Sequence, residues 1–180
     1  GAVQCIVERI ATCRSDDKDV VIRAGLERGA IESSATAALE LSPLTLAQRS
    51  SVFDRARAEL LTPVGLRTLA AGHSDYVARY TGGPEERDRA YHQGTVWPWL
   101  LGGYVELGLR ASDAHRDHLR AVLDGLAPEL ELGGLAHLSE VFDGDPPHRR
   151  GGTFAQAWNT AEVLRGYALL DGPSLAGGAT

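Results

Sequence analysis

The sequence is poor in three residue types whose scarcity limits what the protein can be. It has no methionine and only two cysteines, and Lys18 is its single lysine. Because a chain without methionine cannot begin at its own start codon, we expect a processed, trimmed or partial chain. Cys5 and Cys13 are too few for a disulfide scaffold, and no histidine lies near them at the spacing of a zinc site. We therefore expect two structural thiols in a reducing compartment, which predicts a cytoplasmic protein.

Long apolar runs and clustered basic residues are also missing. No uninterrupted apolar run approaches the ~18–20 residues of a membrane-spanning helix, and no charged-then-apolar segment opens the chain like a signal peptide. The formal net charge is -6, and the arginines are scattered, whereas phosphate binding needs clustered basic side chains. We therefore expect neither a membrane nor a nucleic acid as a partner. Apolar residues make up 43% of the chain, which is enough for a folded core.

The first legible element is a helix after residue 44. Residues 1–38 carry no sustained period; we expect a short helix over residues 1–13 and a poorly specified loop over residues 14–34. Thr45 and Gln48 then form a capping-box pattern. The predicted core face of this helix consists of Val52, Phe53, Ala56 and Leu60, and its predicted stop signals are Pro63 and Gly65.

Long loops and further helices alternate in the rest of the chain. Residues 68–89 have no period and predict a long loop, and residues 142–152, preceded by Gly133 and Gly134, predict a second one. Thr95 is expected to cap a helix that ends near Gly108, and Ser112 or Asp113 to start a third. The last helix is predicted over residues 154–170, with its apolar face formed by Trp158, Ala161, Leu164 and Tyr167.

This pattern contains no competing strand signal and predicts an all-α fold. Long loops that alternate with short turns are typical of helical hairpins whose long loops share one end. We therefore expect loops 70–94 and 131–153 to lie at the same end, over a domain spanning residues 39–172. Residues 173–180 are expected to be a flexible tail.

Two segments carry side chains suited to chemistry. The first, residues 91–99, reads YHQGTVWPW and places indoles, an imidazole and an amide beside a predicted helix start. Sugars bind apolar planes through their C–H faces and planar polar groups through their hydroxyls, and such side chains supply both. The same pattern is also typical of a buried aromatic helix start, because aromatic stripes usually belong to the core.

The second segment places three carboxylates, Glu140, Asp143 and Asp145, on a loop before an aromatic helix start. Glycoside hydrolysis needs two carboxyl groups across the scissile bond, so a catalytic loop is one interpretation. A calcium-binding loop is another, since calcium prefers carboxylate oxygens. A solvated acidic loop is the third, and the spacing alone leaves all three open.

Several motifs together resemble a known family. YHQGTVWPW at 91–99, SEVFDGD at 139–145, QAWN at 156–159 and LLTPVGLRTL at 60–69 resemble the C-terminal glucosidase domain of bacterial and archaeal glycogen debranching enzymes. The resemblance implies an (α/α)6 six-hairpin toroid, of which this chain would form the C-terminal part. It also implies inverting hydrolysis of α-1,6-glucosidic links in glycogen or limit dextrin, without a metal or other cofactor.

The resemblance also assigns residues. Glu140 matches the general base of the family. The residues expected to bind the glucan are His92, Gln93, Trp97, Asp143, Asp145, Gln156 and Trp158.

The sequence departs from the family in two places. The family's general acid is an aspartate on an earlier hairpin, and residues 1–60 hold no matching motif, so we expect it in an upstream part of the same enzyme. Residues 29–38 read GAIESSATAA where the family carries an Arg-Pro-Asn-Gln-like stretch. Two alternatives therefore stay open: another six-hairpin glycosidase of trehalase or glucoamylase type, and a non-catalytic carbohydrate-binding fragment that lacks the acid.

Overall fold

The computed structural model describes residues 45–132 and 136–176. The expectations for residues 1–38, for both cysteines and for Gly133 and Gly134 lie outside the described residues. The helices are α1 (Leu46–Glu59), α2 (Pro84–Tyr91), α3 (Leu100–Ala111), α4 (Arg116–Asp124), α5 (Ala127–Leu132) and α6 (Ala157–Asp171), with a 3-10 turn at Asp113–His115. The strands are β1 (Leu61–Thr62), β2 (Gly65–Arg67), β3 (Val96–Trp97), β4 (Val141–Phe142) and β5 (Arg150–Gly151).

The predicted start of α1 at Thr45 and its predicted end before Pro63 are both confirmed. The Gln48 backbone N–H donates to the Thr45 hydroxyl at 3.3 Å, and the Thr45 N–H donates to Gln48 Oε1 at 2.8 Å. This reciprocal pair satisfies two of the N–H groups that a helix start leaves free. Phe53 and Ala56 are the buried residues of the helix. The chain then turns into the β1–β2 hairpin, where Gly65 has a φ of +148° and a Cβ would lie 2.8 Å from the Trp97 carbonyl oxygen.

The all-α prediction is met only in part, because the described residues also form a small antiparallel sheet. Its order is β1-β2-β3-β4-β5, with Leu66 opposite Trp97 and Val96 opposite Phe142. Each strand has two or three residues, which is too short for an alternating pattern to stand out in a sequence. The described residues are therefore about half helical, with a short sheet that joins segments distant in the chain.

Two local predictions around this sheet are wrong. Residues 68–89 are not one long loop, because α2 begins inside them with Pro84 in its first turn. Its sequence PEERDRAY has no apolar period, so amphipathicity gave no signal. Thr95 caps no helix: it precedes β3, its hydroxyl donates to the Ala90 carbonyl at 2.7 Å, and α3 begins only at Leu100. That helix also runs past Gly108 to Ala111.

The core surrounds α3, which packs between α1 and α6 and also contacts α4. Close approach depends on glycine: a Cβ at Gly108 would lie 2.7 Å from the Phe53 ring, and one at Gly166 would lie 2.9 Å from Leu123. The helix predicted to start at Ser112 or Asp113 is preceded by a 3-10 turn: the Ser112 hydroxyl accepts the Ala114 N–H at 3.2 Å and caps this turn, and α4 begins at Arg116. Among the described residues, no helix combines the length and apolarity needed to cross a bilayer.

The predicted inner face of α6 is wrong. Leu164 is 63% exposed, and Phe154 lies before the helix and is 72% exposed. The buried positions of α6 are Asn159, Val163, Gly166 and Leu170. They also share one helical face, but one is a glycine and one an amide, so an apolar count does not select them.

A buried ionic network joins α3 to α6 and gives a first prediction. Glu106 is 2% exposed and accepts hydrogen bonds from Arg110 at 2.9 Å and Arg165 at 2.7 Å. Glu106→Gln leaves two guanidinium groups without this counter-charge. We expect a loss of about 2–4 kcal/mol in the free energy of unfolding, measured by urea denaturation.

Glu162 is the matched control for this network, because it pairs with the same Arg165 but is 24% exposed. Glu162→Gln should lower the free energy of unfolding by less than about 1 kcal/mol. Equal losses for the two variants would contradict a special role for the buried Glu106.

His118 predicts a pH dependence of stability. Burial, followed by the nearby Arg57 and His115, lowers the pKa of His118, whose ring nitrogen lies 2.9 Å from the Tyr104 hydroxyl. The folded state therefore favours the neutral ring. This contribution is fully present above the unfolded pKa of about 6.5 and is lost as pH falls below it. Unfolding free energies between pH 7.5 and 5 should fall less steeply in His118→Gln; equal slopes would contradict the prediction.

Candidate active site

The two chemistry-bearing segments are joined through residues 77–79, which bond to both of them. On one side, the Val77 N–H donates to the Gln93 carbonyl at 2.6 Å. On the other side, the Gly144 N–H donates to the Ala78 carbonyl at 2.9 Å. Arg79 forms an ion pair with Asp143 at 3.0 Å. These contacts bring parts of loops 70–94 and 131–153 together, and their placement at one end of helical hairpins stays a prediction.

Glu140 lies where these loops meet, immediately before β4. Its backbone N–H donates to the Thr153 carbonyl at 2.8 Å, and the Thr153 N–H donates to Glu140 Oε2 at 2.8 Å. The Tyr91 hydroxyl donates to Glu140 Oε1. Gly152, at a φ of +67°, lies against this carboxylate, and a Cβ there would be 2.6 Å from Oε2. The carboxylate is therefore fixed by two donors and by close packing.

Tyr91 connects Glu140 to the aromatic residues. Burial, and then the hydrogen bond to Glu140, raises the pKa of Tyr91, so its hydroxyl keeps its proton and acts as a donor at neutral pH. The Trp97 indole N–H donates to the Tyr91 carbonyl at 3.0 Å, and the two rings meet edge-on at 4.6 Å. Trp97 thereby positions Tyr91, which in turn donates a hydrogen bond to Glu140.

Asn159 fixes the backbone of the same site. Its side chain is fully buried, and its amide NH2 donates to the carbonyls of Ser139 at 2.6 Å and Glu140 at 3.0 Å. Its Oδ1 accepts the Trp99 N–H at 3.1 Å. One side chain therefore ties the Glu140 loop to the segments that begin α3 and α6.

His92, Trp97 and Trp158, all expected to bind the glucan, lie close together. The His92 and Trp97 rings are stacked, with centroids 6.0 Å apart and planes inclined by 2°, and Trp97 and Trp158 are 6.2 Å apart. Trp97 is 5% exposed, so most of its surface contacts protein. Buried polar atoms normally have partners, yet Trp158 Nε1 and Gln93 Oε1 find none within the described part of the chain.

Asp143 and Asp145, expected to bind the glucan, both have protein donors. Asp143 is 5% exposed and accepts the Tyr80 N–H at 2.8 Å, in addition to its ion pair with Arg79. Asp145 accepts the Tyr76 hydroxyl at 2.8 Å. These contacts hold residues 76–80 against the loop that carries Glu140.

Gln156, the remaining residue expected to bind the glucan, precedes α6. Its backbone N–H donates to the Leu138 carbonyl at 2.8 Å. This bond anchors the start of α6 to the segment that leads into Glu140.

The calcium interpretation of this loop gains no support. Across residues 45–132 and 136–176, no group of three or more His, Cys, Asp or Glu side chains is arranged to hold a metal ion. Glu140, Asp143 and Asp145 instead each accept hydrogen bonds from different protein groups.

A cavity of about 500 Å³ borders the site. It is lined by Tyr80, Thr81, Gly82, Arg87, Gly151 and Gly152. Gly152, which packs on the Glu140 carboxylate, is one of these lining residues, whereas Glu140 itself is not. A second cavity, of about 570 Å³, lies between the end of α1 and residues 67–73, and none of the predicted site residues lines it.

Three residues that position Glu140 were not among the predicted site residues. Tyr91 begins the YHQGTVWPW motif and Asn159 ends the QAWN motif, so both belong to motifs that carry the family resemblance. Thr153 acts through its backbone N–H, for which no side-chain signal exists.

A domain that is about half helical in its described residues, with a fixed carboxylate beside clustered aromatic rings, fits the class of glycosidase-type domains, and comparison with known families agrees. A family model described as Amylo-alpha-1,6-glucosidase matches residues 15–165, which is most of the chain. The chain belongs to this amylo-alpha-1,6-glucosidase family, which confirms the resemblance to the glucosidase domain of glycogen debranching enzymes. No curated protein matches the chain.

Proposed function

We propose that the chain takes part in hydrolysing α-1,6-glucosidic branch links in glycogen or limit dextrin, with Glu140 as the general base of an inverting mechanism. The observation that carries the proposal is the fixed Glu140 carboxylate, held by the Tyr91 hydroxyl and the Thr153 N–H beside the aromatic cluster. The family match gives the reaction class. Preorganised geometry of this kind is what a catalytic carboxylate requires.

The base step follows from the chemistry of a carboxylate. Each oxygen of Glu140 accepts one protein donor and keeps a further lone pair for a water molecule. Glu140 takes a proton from that water as its oxygen attacks the anomeric carbon. A carboxylic acid on the opposite side of the sugar gives its proton to the leaving oxygen, at a separation of ~6.5–9.5 Å.

Two buried polar atoms of the aromatic region match sugar hydroxyls in hydrogen-bonding character, and the surrounding side chains would have to move to admit a sugar. Trp158 Nε1 is a donor and Gln93 Oε1 an acceptor, and both lack a partner in the described part of the chain. A hydroxyl group can serve either atom, because it both donates and accepts. His92, whose ring stacks on Trp97, adds a polar group to the aromatic cluster.

The proposal extends to the whole enzyme. The helices of this chain would form hairpins of an (α/α)6 toroid, and an upstream part of the same cytoplasmic enzyme would supply the general acid. The contact between loops 76–93 and 143–146 supports this arrangement, since such toroids build their cleft from loops at one end.

Substrate discrimination tests the proposal. The intact enzyme should release glucose from limit dextrin and from glucosyl-branched maltooligosaccharides, and much less from trehalose or linear maltooligosaccharides. The glucose first released should be the β-anomer, detected by proton NMR, because inversion converts an α-link. Preference for trehalose or for linear α-1,4 chains would favour the other six-hairpin glycosidases. Glucan binding without any glucose release would favour a non-catalytic domain.

A further inference from the structure

The two oxygens of the Glu140 carboxylate have different surroundings. Oε2 accepts the Thr153 N–H at 2.8 Å and faces Gly152, where a Cβ would lie 2.6 Å from it. Oε1 accepts the Tyr91 hydroxyl and is not among the three atoms nearest to that Cβ position. One oxygen is therefore held against the backbone of residues 152–153, and the other is turned toward the end of α2.

Gly152 limits the approach to Oε2. Its φ of +67° lies in the left-handed region that favours glycine, and the absence of a side chain lets its backbone come close to the carboxylate. A position too close for a methyl group is also too close for a water molecule. A water that reaches Glu140 therefore cannot approach Oε2 from this side, whereas Gly152 sets no such limit for Oε1.

Tyr91 holds Oε1 from a fixed position. Its ring meets the Trp97 ring edge-on at 4.6 Å, and the Trp97 indole N–H donates to the Tyr91 carbonyl at 3.0 Å. The rings of His92 and Tyr80 lie 5.0 Å and 5.6 Å from the Tyr91 ring. A ring packed on several sides has little freedom left to lose when its hydroxyl forms a bond, so this donor is preorganised for the carboxylate.

The Tyr91 hydroxyl keeps its proton at neutral pH. Burial and then the hydrogen bond to Glu140 raise the pKa of Tyr91, and the charges of Glu140, Tyr80 and Asp88 add to this effect. A protonated hydroxyl donates, and a donor on a carboxylate oxygen stabilises the charged form of the carboxylate. Because a base must be charged to take a proton, this bond sets both the direction and the charge of Oε1.

We propose that Oε1 is the oxygen of Glu140 that takes the proton, and that Tyr91 is a positioning residue whose hydroxyl aims this oxygen at the attacking water. The proposal deepens the proposed function and rests on it for the role of Glu140 as the base. In this step the water oxygen bonds to the anomeric carbon, the bond from that carbon to the leaving group breaks, and a proton of the water passes to Oε1. Because Tyr91 acts through Glu140, its contribution should disappear when the reaction needs no base.

Hydrolysis of α-glucosyl fluoride by the intact enzyme measures this contribution. Fluoride leaves as an anion, so the rate depends less on the general acid than with a glucoside, and an electrode follows the fluoride released. Tyr91→Phe keeps the ring and removes only the hydroxyl. We expect kcat to fall roughly ten- to hundredfold, the effect of losing one hydrogen bond to a charged group, while KM changes less than about threefold.

Azide separates positioning from a structural effect. This anion has no proton to lose, so it can displace fluoride without a base: its nitrogen bonds to the anomeric carbon as the carbon–fluorine bond breaks. In Glu140→Gln with azide, adding Tyr91→Phe should change the rate of fluoride release by less than about twofold. A residue that shaped the sugar site or the fold would instead lower both the hydrolysis and the azide reaction.

Two further variants complete the experiment. Tyr167→Phe removes a hydroxyl that donates to Asp124 at 2.8 Å in an exposed pair, and kcat should stay within about twofold of the parent. Gly152→Ala places a methyl group against Oε2 and should lower kcat roughly tenfold or more, because the carboxylate must shift. If Tyr91→Phe does not fold by circular dichroism, Gly152→Ala decides, and a folded Gly152→Ala with the kcat of the parent would overturn the proposal.

The outcomes distinguish this proposal from the proposed function. A near-parental kcat in folded Tyr91→Phe, together with an inactive Glu140→Gln, would overturn the positioning role and leave Glu140 as the base. An equal loss from Tyr91→Phe in hydrolysis and in the azide reaction would also overturn it, because Tyr91 would then act on the sugar or on the fold. A near-normal kcat in Glu140→Gln would instead refute the proposed function, whatever Tyr91→Phe does.

Discussion

Glu140→Gln in the intact enzyme is expected to lower kcat by about 10²–10⁴-fold while leaving glucan binding largely intact. Glutamine keeps the shape of the side chain, and its carbonyl oxygen can still accept a hydrogen bond from the Tyr91 hydroxyl or the Thr153 N–H. It cannot take a proton from the attacking water. A loss in kcat with little change in binding is typical of an interaction that matters in the transition state.

Azide gives a second measurement of the same role. A small anion can replace the water and needs no base, so Glu140→Gln with azide should form a glucosyl azide of inverted anomeric configuration, visible by NMR. Near-normal kcat in Glu140→Gln would contradict the assignment. The alternatives would then be Asp143 and Asp145 in the same loop, although both already accept hydrogen bonds from residues 76–80.

The parts of the fold that follow local rules could be predicted from the sequence. The capping box of Thr45 and Gln48 lies within four consecutive residues, and the hydroxyl of Ser112 caps a turn two residues away. The apolar face of α4, with Leu119 and Leu123, also has a regular period. Such signals need no knowledge of the rest of the chain.

The parts that depend on distant contacts could not be predicted. Val96 in β3 pairs with Phe142 in β4, across a gap that no local pattern bridges. The inner face of α6 is set by what packs on it: Gly166 admits Leu123, and Asn159 bonds the backbone of Glu140. Apolar content is a poor guide where a glycine and an amide make the closest contacts.

In the candidate site, too, local sequence motifs predicted some features, whereas features that depend on distant contacts could not be predicted. Family-like motifs marked Glu140 and the aromatic rings, and the contacts through Tyr91 bring Glu140, His92 and Trp97 together. The positioning role of Asn159 had no separate signal, because an amide in a helix start usually serves the helix itself. The cavity beside Tyr80 had none either, since its walls come from segments about 70 residues apart in sequence.

The 180-residue chain on its own is expected to release little or no glucose from α-1,6-linked glucosides. One carboxylate cannot be acid and base in the same step, and the loss of one partner should cost orders of magnitude in rate. Asp143 and Asp145, the carboxylates nearest to Glu140 in sequence, are occupied by Arg79, Tyr80 and Tyr76. The assay should follow glucose release by the purified chain, with circular dichroism to establish that it is folded.

Robust release by the folded chain would contradict this expectation and show that the acid lies inside it. Asp54, Asp75 and Asp88 would then be changed to asparagine in turn. Asp88 is the first to test, because it belongs to α2, the helix that ends at Tyr91, and its charge contributes to raising the pKa of Tyr91. The charge of Asp54 instead contributes to raising the pKa of Tyr104 in the core. Asp75 is exposed and accepts a hydrogen bond from the Ser74 hydroxyl. An acid acting across the glycosidic bond must share the cleft with Glu140, so a loss of activity in one of these three variants would identify it.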